Sequence, residues 1–278
     1  MRLTQQQQKT LVKISQNLTI TDLLDLLEGK ILALRIPSYY HHEQAAQISE
    51  ELIEQDTLER YHRAPDVGVQ RTGITFFETN GNEEMLERYY QQAPACNRNI
   101  RYTCSPLLSP IDKLRLDLGD MWLAGACIEN IHNRTMLAGI GRVFEDNFEL
   151  PPHQDILARD VSDAPIYPSY PFSYLVSQLS ANIYLRTPKF GGELEIWSVK
   201  PSTTTQPEIQ DKEYKYEGII DRRILPEPTA VIKPQIGELI LFDSTRVHAV
   251  RASHGGPRVS MSMFIGYRNQ DEPLTYWS

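Results

Sequence analysis

The ten residues Arg258–Tyr267, RVSMSMFIGY, alternate without a break. Side chains on an extended strand take opposite faces with period two. Val259, Met261, Met263 and Ile265 therefore share one face, and Arg258, Ser260, Ser262 and Phe264 share the other. The apolar face can pack against helices. The second face carries an arginine and two serines, so it must line an interior that is partly polar. A buried guanidinium needs an anion. The protein could supply one, but a ligand carboxylate gripped by the guanidinium fork is the more economical partner.

The same texture of short strands, broken by Gly and Pro, begins at about Arg134. The candidates are RTMLAGIGRVFE, the segment around His153, YLVSQLSANIYLRT, GELEIWSV, TAVIKP, GELILFD, RVHAVRA and RVSMSMFIGY. Many short strands joined by turns indicate a sandwich or barrel rather than a parallel sheet. TPKFGG and SHGGP look like hairpin connections. The polar segment from Lys200 to Pro228 is longer than an ordinary connection and reads as a flap.

The first half reads mainly as helices. TITDLLDLLEGK has Thr21 as N-cap and Gly29 as its stop, and HEQAAQISEELIEQ is a second helix. A third runs from SPIDKLRLDLGDM onward, capped by Ser109 with Pro110 in the first turn, and puts Ile111, Leu114, Leu118 and Met121 on one face. GKILALRIPSYY and GVQRTGITFFET read as strands. The expectation is a single domain over 1–278, with 1–133 mostly helical support and 134–278 a β core carrying a flap at about 200–228.

ELPPHQDILARD, residues 149–160, places His153 and Asp155 two positions apart. In a strand both would point to one face and could grip one ion. A third ligand must come from elsewhere, and a lone histidine is more often a surface or satisfied core residue. His41 and His42 diverge, His62 looks solvated, and His132 and His254 remain alternatives to His248. His248 is favoured by its setting. Folding the chain as a hairpin over ASHGGP would set it opposite Arg258, ten residues later, as a cross-strand pair. His153, Asp155 and His248 would then surround a metal, with Arg258 and Ser260 close by. Two histidines and a carboxylate on one side of an ion leave its other positions open, as in non-haem Fe(II) oxygenases.

With these residues in place the sequence resembles the Fe(II)/2-oxoglutarate-dependent oxygenases, whose signature is HxD, a distal His, and Arg ten residues later within RxS. SANIYLRTPKFGGELEIWS looks like a strand–turn–strand of prolyl-hydroxylase-like members. GGELEIWS, GELILFD and LTYWS resemble the stand-alone aliphatic halogenases of indole-alkaloid biosynthesis and their hydroxylase relatives. The resemblance covers roughly 134–278. It implies an α+β, mainly β fold: a double-stranded β-helix (jelly-roll, cupin-like) core buttressed by N-terminal helices. It further implies Fe(II) on His153, Asp155 and His248, with 2-oxoglutarate on the iron and its far carboxylate on Arg258 and Ser260. With O2, the implied reaction is hydroxylation of an unactivated C–H of a small metabolite through a ferryl intermediate, releasing succinate and CO2. The halogenases carry Gly where this chain has Asp155, so hydroxylation and not halogenation is implied.

Several alternatives stay open at this point. Desaturation or cyclisation could run on the same scaffold. A non-catalytic cupin-like binder would keep the fold, and a metal hydrolase could use the same ligands but would give Arg258 and Ser260 no purpose. Glu193 and Glu195 could be paired carboxylates, although strand spacing favours one face of a β-strand. Arg142 could face the site or pair with Glu145 or Asp146. DAPIYPSYPFSY, residues 163–174, could wall the pocket or be a surface loop.

A formal charge of −8 without a Lys/Arg-rich block argues against nucleic acid. The apolar runs are too short and mixed for a membrane span. The segment MRLTQQQQKTLVK has no apolar h-region, and Cys96, Cys104 and Cys127 suggest neither a disulfide framework nor a thiolate zinc site. Cytoplasmic residence and a small-molecule substrate are expected, the latter an amino acid, alkaloid or similar scaffold of specialised metabolism. The oligomeric state is not readable.

Overall fold

The computed structural model describes residues 11–63, 68–80, 82–131, 133–162, 175–201 and 218–278. The segment 163–174, most of the expected flap (202–217) and His132 lie outside the described residues. In chain order the principal strands are β1 (Val12–Ile14), β2 (Ala33–Ile36), β3 (Leu58–Arg60), β4 (Val69–Thr72), β5 (Ala126–Ile128), β6 (Ile140–Phe144) and β7 (Leu150–His153). They continue with β8 (Ser177–Arg186), β9 (Leu194–Ile196), β10 (Ala230–Ile232), β11 (Leu239–Asp243), β12 (His248–Val250), β13 (Arg258–Tyr267) and β14 (Leu274–Trp277).

The larger sheet runs β1-β2-β11-β8-β13-β6-β4-β3, and β14 pairs with both β13 and β5. The smaller sheet runs β10-β9-β12-β7. The chain shuttles between the two sheets, from β8 to β9, from β11 to β12, and from β12 back to β13. This two-sheet arrangement is the double-stranded β-helix expected from the resemblance.

It also corrects two expectations. TPKFGG and ASHGGP are not hairpin turns, because the strands they join lie in different sheets. The two crossovers instead meet each other, Phe190–Gly191 pairing with Ser253–His254. Gly191 has a φ of +69°, and a Cβ there would stand 1.8 Å from the Ala252 carbonyl oxygen, so only glycine allows this approach.

The alternation of β13 does what its pattern requires. Val259, Met261, Met263 and Ile265 enter the main core with Leu179, Ala181, Ile183 and Leu185 of β8. Helices α1 (Ile20–Leu27), α2 (His42–Ile53) and α4 (Pro110–Met121) cover this face through Leu23, Leu26, Ile48, Leu52, Leu114 and Leu118, all buried. Each such side chain contributes roughly 1.5–3 kcal/mol on burial. The core thus lies outside the barrel, between the larger sheet and the helices, and leaves the inner face of that sheet for polar groups.

Local capping differs in detail from the sequence reading. Thr19 caps α1, its hydroxyl accepting the Asp22 N–H at 3.2 Å, whereas Thr21 lies inside the first turn. Ser109 caps α4 by accepting the Asp112 N–H at 3.0 Å, and the helix stops at Met121. GVQRTGITFFET is a strand only over Val69–Thr72, after which Gly73 turns the chain at φ +84° into a 3-10 segment, Phe76–Thr79. The helix α3 (Glu83–Cys104), with Pro94 inside it, was not anticipated.

Candidate metal centre and carboxylate pocket

The cavity between the sheets is lined from both sides. His153 closes β7 and His248 opens β12, and the two are register partners across that antiparallel pair. Their ring centroids are 4.3 Å apart. Asp155 Oδ2 lies 3.3 Å from His248 Nε2 and 3.9 Å from His153 Nε2. One ligand atom from each residue falls within 4.8 Å of the other two.

The tautomers follow from the hydrogen bonds. His153 Nδ1 faces the Pro151 carbonyl at 2.7 Å, and His248 Nδ1 faces the Arg246 carbonyl at 2.9 Å. A carbonyl only accepts, so each Nδ1 carries the proton and each Nε2 presents a lone pair. Two lone pairs and a carboxylate oxygen then converge on one point, which requires a cation. Burial pushes the His153 imidazole down to about 4, with His248 adding to the effect, so a proton is a poor candidate at neutral pH. A divalent metal ion fits this donor set, because its ligand imidazoles must be neutral.

Asp155 is not placed by strand alternation as expected, since β7 ends at His153. A turn holds it instead. Its N–H donates to the Ser244 carbonyl at 3.0 Å, and its own carbonyl accepts the Gln178 side-chain amide at 3.0 Å. The Gln178 side-chain oxygen accepts the Leu157 N–H at 2.9 Å, so one buried amide grips both ends of the turn. Gln154, between the two ligands, points away and donates to the Thr245 carbonyl at 2.6 Å.

The opposite wall belongs to the larger sheet. Arg258 is 2% exposed and donates from Nη2 to the Tyr184 hydroxyl at 3.1 Å. Its guanidinium stacks 4.3 Å from the Phe144 ring centroid and 4.9 Å from that of Tyr184. Nε and Nη1 of Arg258 and the Ser260 hydroxyl are buried with no partner among the described residues. A buried cation with two unmatched donors beside an unmatched hydroxyl suits a carboxylate. His248 and Arg258 are not the cross-strand pair expected: His248 lies opposite His153 and Ile196, and Arg258 lies opposite Phe144. Their ten-residue separation is the crossover from one sheet to the other.

The remaining candidates sort plainly. His254 is exposed, its Nδ1 3.0 Å from Asn147 Oδ1, and His62 sits 3.4 Å from Glu59 at the surface. Glu195 is consumed by Arg222 and Arg251 at 2.6 and 2.7 Å, and Glu193 lies 3.8 Å from Lys233. Arg142 faces the cavity; Glu145 pairs with Arg60 instead, and Asp146 accepts the Gly256 N–H. Helix α5 (Leu157–Ser162) brings Asp160 to the cavity, where burial pushes its carboxyl up to about 7.

Gln178 and Tyr184 were missed from the sequence, though a signal was present. Gln178, Ser180, Asn182 and Tyr184 alternate with Leu179, Ala181, Ile183 and Leu185, repeating the pattern of Arg258–Ile265. All four polar residues line the cavity.

Residues 139–266 match the 2OG-Fe(II) oxygenase superfamily. Over 265 residues, 91% of both chains, the protein is 23% identical to L-gamma-glutamyl-L-propargylglycine hydroxylase of Streptantibioticus cattleyicolor. Its fold is similar to a crystal structure of an N-substituted L-amino acid dioxygenase from Burkholderia ambifaria AMMD, with a TM-score of 0.64 and 17% identity over 94% of this chain and 92% of the other. The complex of that dioxygenase with alpha-KG gives a TM-score of 0.62 and 16% identity, covering 93% and 90%.

Proposed function

We propose, from the match of residues 139–266 to the 2OG-Fe(II) oxygenase superfamily, that the protein is an Fe(II)- and 2-oxoglutarate-dependent hydroxylase of a small, amino-acid-like metabolite. His153, Asp155 and His248 hold the iron. Arg258 and Ser260 hold the far carboxylate of 2-oxoglutarate. Bound there with O2, the iron and cosubstrate supply an oxidant strong enough for an unactivated C–H, coupled to release of succinate and CO2.

The protein's own work is placement. The carbonyls of Pro151 and Arg246 fix both imidazoles with Nε2 toward the ion. Gln178 and Ser244 hold the backbone of Asp155. Phe144 and Tyr184 clamp the Arg258 guanidinium, so little rotamer freedom is lost when a carboxylate arrives. The observation that carries the reading is the pairing, across one cavity, of three converging lone-pair donors with a buried, half-satisfied guanidinium. A binder without chemistry, or a hydrolase, would leave one half of that pairing unused.

Two finer points belong to the same reading. Asp155 supplies a carboxylate where a halide would have to bind, and its charge opposes a second anion, so the product is hydroxylated rather than halogenated. The amino-acid-like substrate is suggested by the names of the relatives rather than by sequence composition. We read the chain as a single catalytic domain. Among the described residues no helix is long and apolar enough to cross a membrane.

The test is incubation with Fe(II), 2-oxoglutarate, O2 and chloride against free amino acids, N-acyl amino acids and γ-glutamyl dipeptides, followed by mass spectrometry. A product with one added oxygen and matching succinate is expected. A chlorinated product, or no succinate with any substrate, would overturn the proposal.

A further inference from the structure

Beyond the cosubstrate anchor, two more arginines line the cavity: Arg159, engaged by Asp160 and the Gln154 carbonyl, and Arg142, which the metal and 2-oxoglutarate leave unemployed. Arg142 lies on β6, register partner of Ser260 on β13 and of Arg71 on β4, and its side chain lines the cavity. It donates from Nε to the Tyr61 hydroxyl at 2.8 Å and from Nη1 to the Ser262 hydroxyl. Both partners are neutral. Burial pushes the Tyr61 hydroxyl up, so it stays protonated and brings no negative charge.

Outside this cavity several arginines are matched with acids. Arg71 meets Glu78 at 2.7 Å, Arg35 meets Glu238 at 2.7 Å, and Arg268 meets Glu129 at 2.8 Å. Among the described residues no carboxylate pairs with Arg142. Two neutral hydroxyls fix the plane of its guanidinium; its charge acts on Asp155 only at a distance, without an ion pair, so no carboxylate among the described residues occupies it.

The position separates it from Arg258. Arg258 starts β13 and turns toward Phe144 and Tyr184. Arg142 stands opposite Ser260 and reaches Ser262, farther along the same strand. Arg258 at the start of β13 and Arg142, held by Ser262 farther along that strand, are thus two separate carboxylate points lining one cavity. Phe76, Phe77, Leu150, Phe264 and Trp277 supply apolar walls to the same cavity.

Resting on the reading of the site as a 2-oxoglutarate oxygenase, we propose that Arg142, held by Tyr61 and Ser262, anchors a carboxylate of the organic substrate. The substrates are then free acids, such as amino acids or short peptides with an unblocked carboxylate, and not their amides or neutral scaffolds. A carboxylate received as a two-point salt link fixes which carbon faces the metal, so Arg142 also governs the position of attack.

The test uses protein loaded anaerobically with Ni(II), a redox-silent stand-in for Fe(II), and 2-oxoglutarate. Calorimetry then gives dissociation constants for matched free acids and carboxamides of N-acyl amino acids and γ-glutamyl dipeptides. At least one acid is expected to bind more tightly than its amide. In Arg142→Gln that acid should lose roughly 100-fold in affinity, its amide should change little, and the affinity for 2-oxoglutarate should stay within a few-fold of the original. Arg142→Lys, which keeps the charge, should retain part of the preference. If no acid binds better than its amide in the unmutated protein, the proposal fails. It also fails if Arg142→Gln weakens 2-oxoglutarate and leaves the acid preference intact, which would make Arg142 a cosubstrate residue. Absence of any 2-oxoglutarate binding in the unmutated, metal-loaded protein would instead overturn the oxygenase reading on which the proposal rests.

Discussion

His153 and His248 stand directly opposite one another on adjacent antiparallel strands, with ring centroids 4.3 Å apart and both Nδ1 protons committed to backbone carbonyls. Strand pairing therefore sets the spacing of two donors before any ion arrives. The third donor, Asp155, has no such register and depends on the turn beyond β7. The site is two ligands built by a sheet and one built by side-chain hydrogen bonds. That division determines how mutations around it should behave.

Gln178→Ala should weaken the metal without touching it. The substitution frees the Leu157 N–H and leaves the Asp155 carbonyl only the Ser244 hydroxyl at 3.3 Å, so the carboxylate is held less firmly toward the two histidines. Loss of such an outer hydrogen bond typically costs 10–100-fold in metal affinity. Competition with a chelator measures it. Unchanged affinity would show that the turn holds itself.

Arg258→Met should separate stability from function. The buried guanidinium has two unsatisfied donors, so an apolar chain of similar length is expected to stabilise the ligand-free protein by about 1–3 kcal/mol. Binding of 2-oxoglutarate should fall by roughly 100-fold or more. Thermal denaturation with and without 2-oxoglutarate reads both effects: the variant melts higher alone and gains nothing from the cosubstrate. A lower melting temperature in the ligand-free state would contradict the prediction.

The wall behind Tyr61 carries a pH signature. Glu78 is buried and would be pushed up by burial, but the Arg71 guanidinium and the N–H groups of Thr75 and His62 hold its carboxyl below the ordinary 4.5. A depressed carboxyl contributes stability that is fully present above about pH 4.5 and lost as pH falls below it, because the unfolded chain then takes the proton first. Denaturant unfolding between about pH 3 and 7 should show this slope. Glu78→Gln should flatten it and cost about 3 kcal/mol near neutral pH by leaving the buried Arg71 only the half-exposed Glu59 at 3.7 Å. An equal slope in both proteins would remove Glu78 from the account.

How far the sequence revealed this arrangement depended on the range of the interactions. All eight strands expected after Arg134 occur, because alternation is a local property that each segment displays by itself. His153, Asp155, His248 and Arg258 line one cavity, and Ser260 lies on β13 opposite Tyr184 and Arg142, which line it too. The reasons given for their meeting were partly wrong, because a hairpin was assumed where the chain crosses between sheets. Local spacing cannot tell those two routes apart. Helix α3 was missed because polar residues and an internal proline dilute its apolar stripe, with only positions such as Leu86, Tyr89, Ala93 and Ile100 buried. Gln178 was invisible as a partner of Asp155 for a simpler reason: twenty-three residues separate them, and only the fold brings them to 3.0 Å.

The central claim is that the three-residue donor set and the Arg258–Ser260 pocket hold Fe(II) and 2-oxoglutarate together. Anaerobic addition of Fe(II) and 2-oxoglutarate to the purified protein tests it most directly. A weak visible charge-transfer band, absent with either component alone and abolished in His248→Ala, is the predicted result. No band in the unmutated protein, or a band of full intensity in His248→Ala, would contradict it.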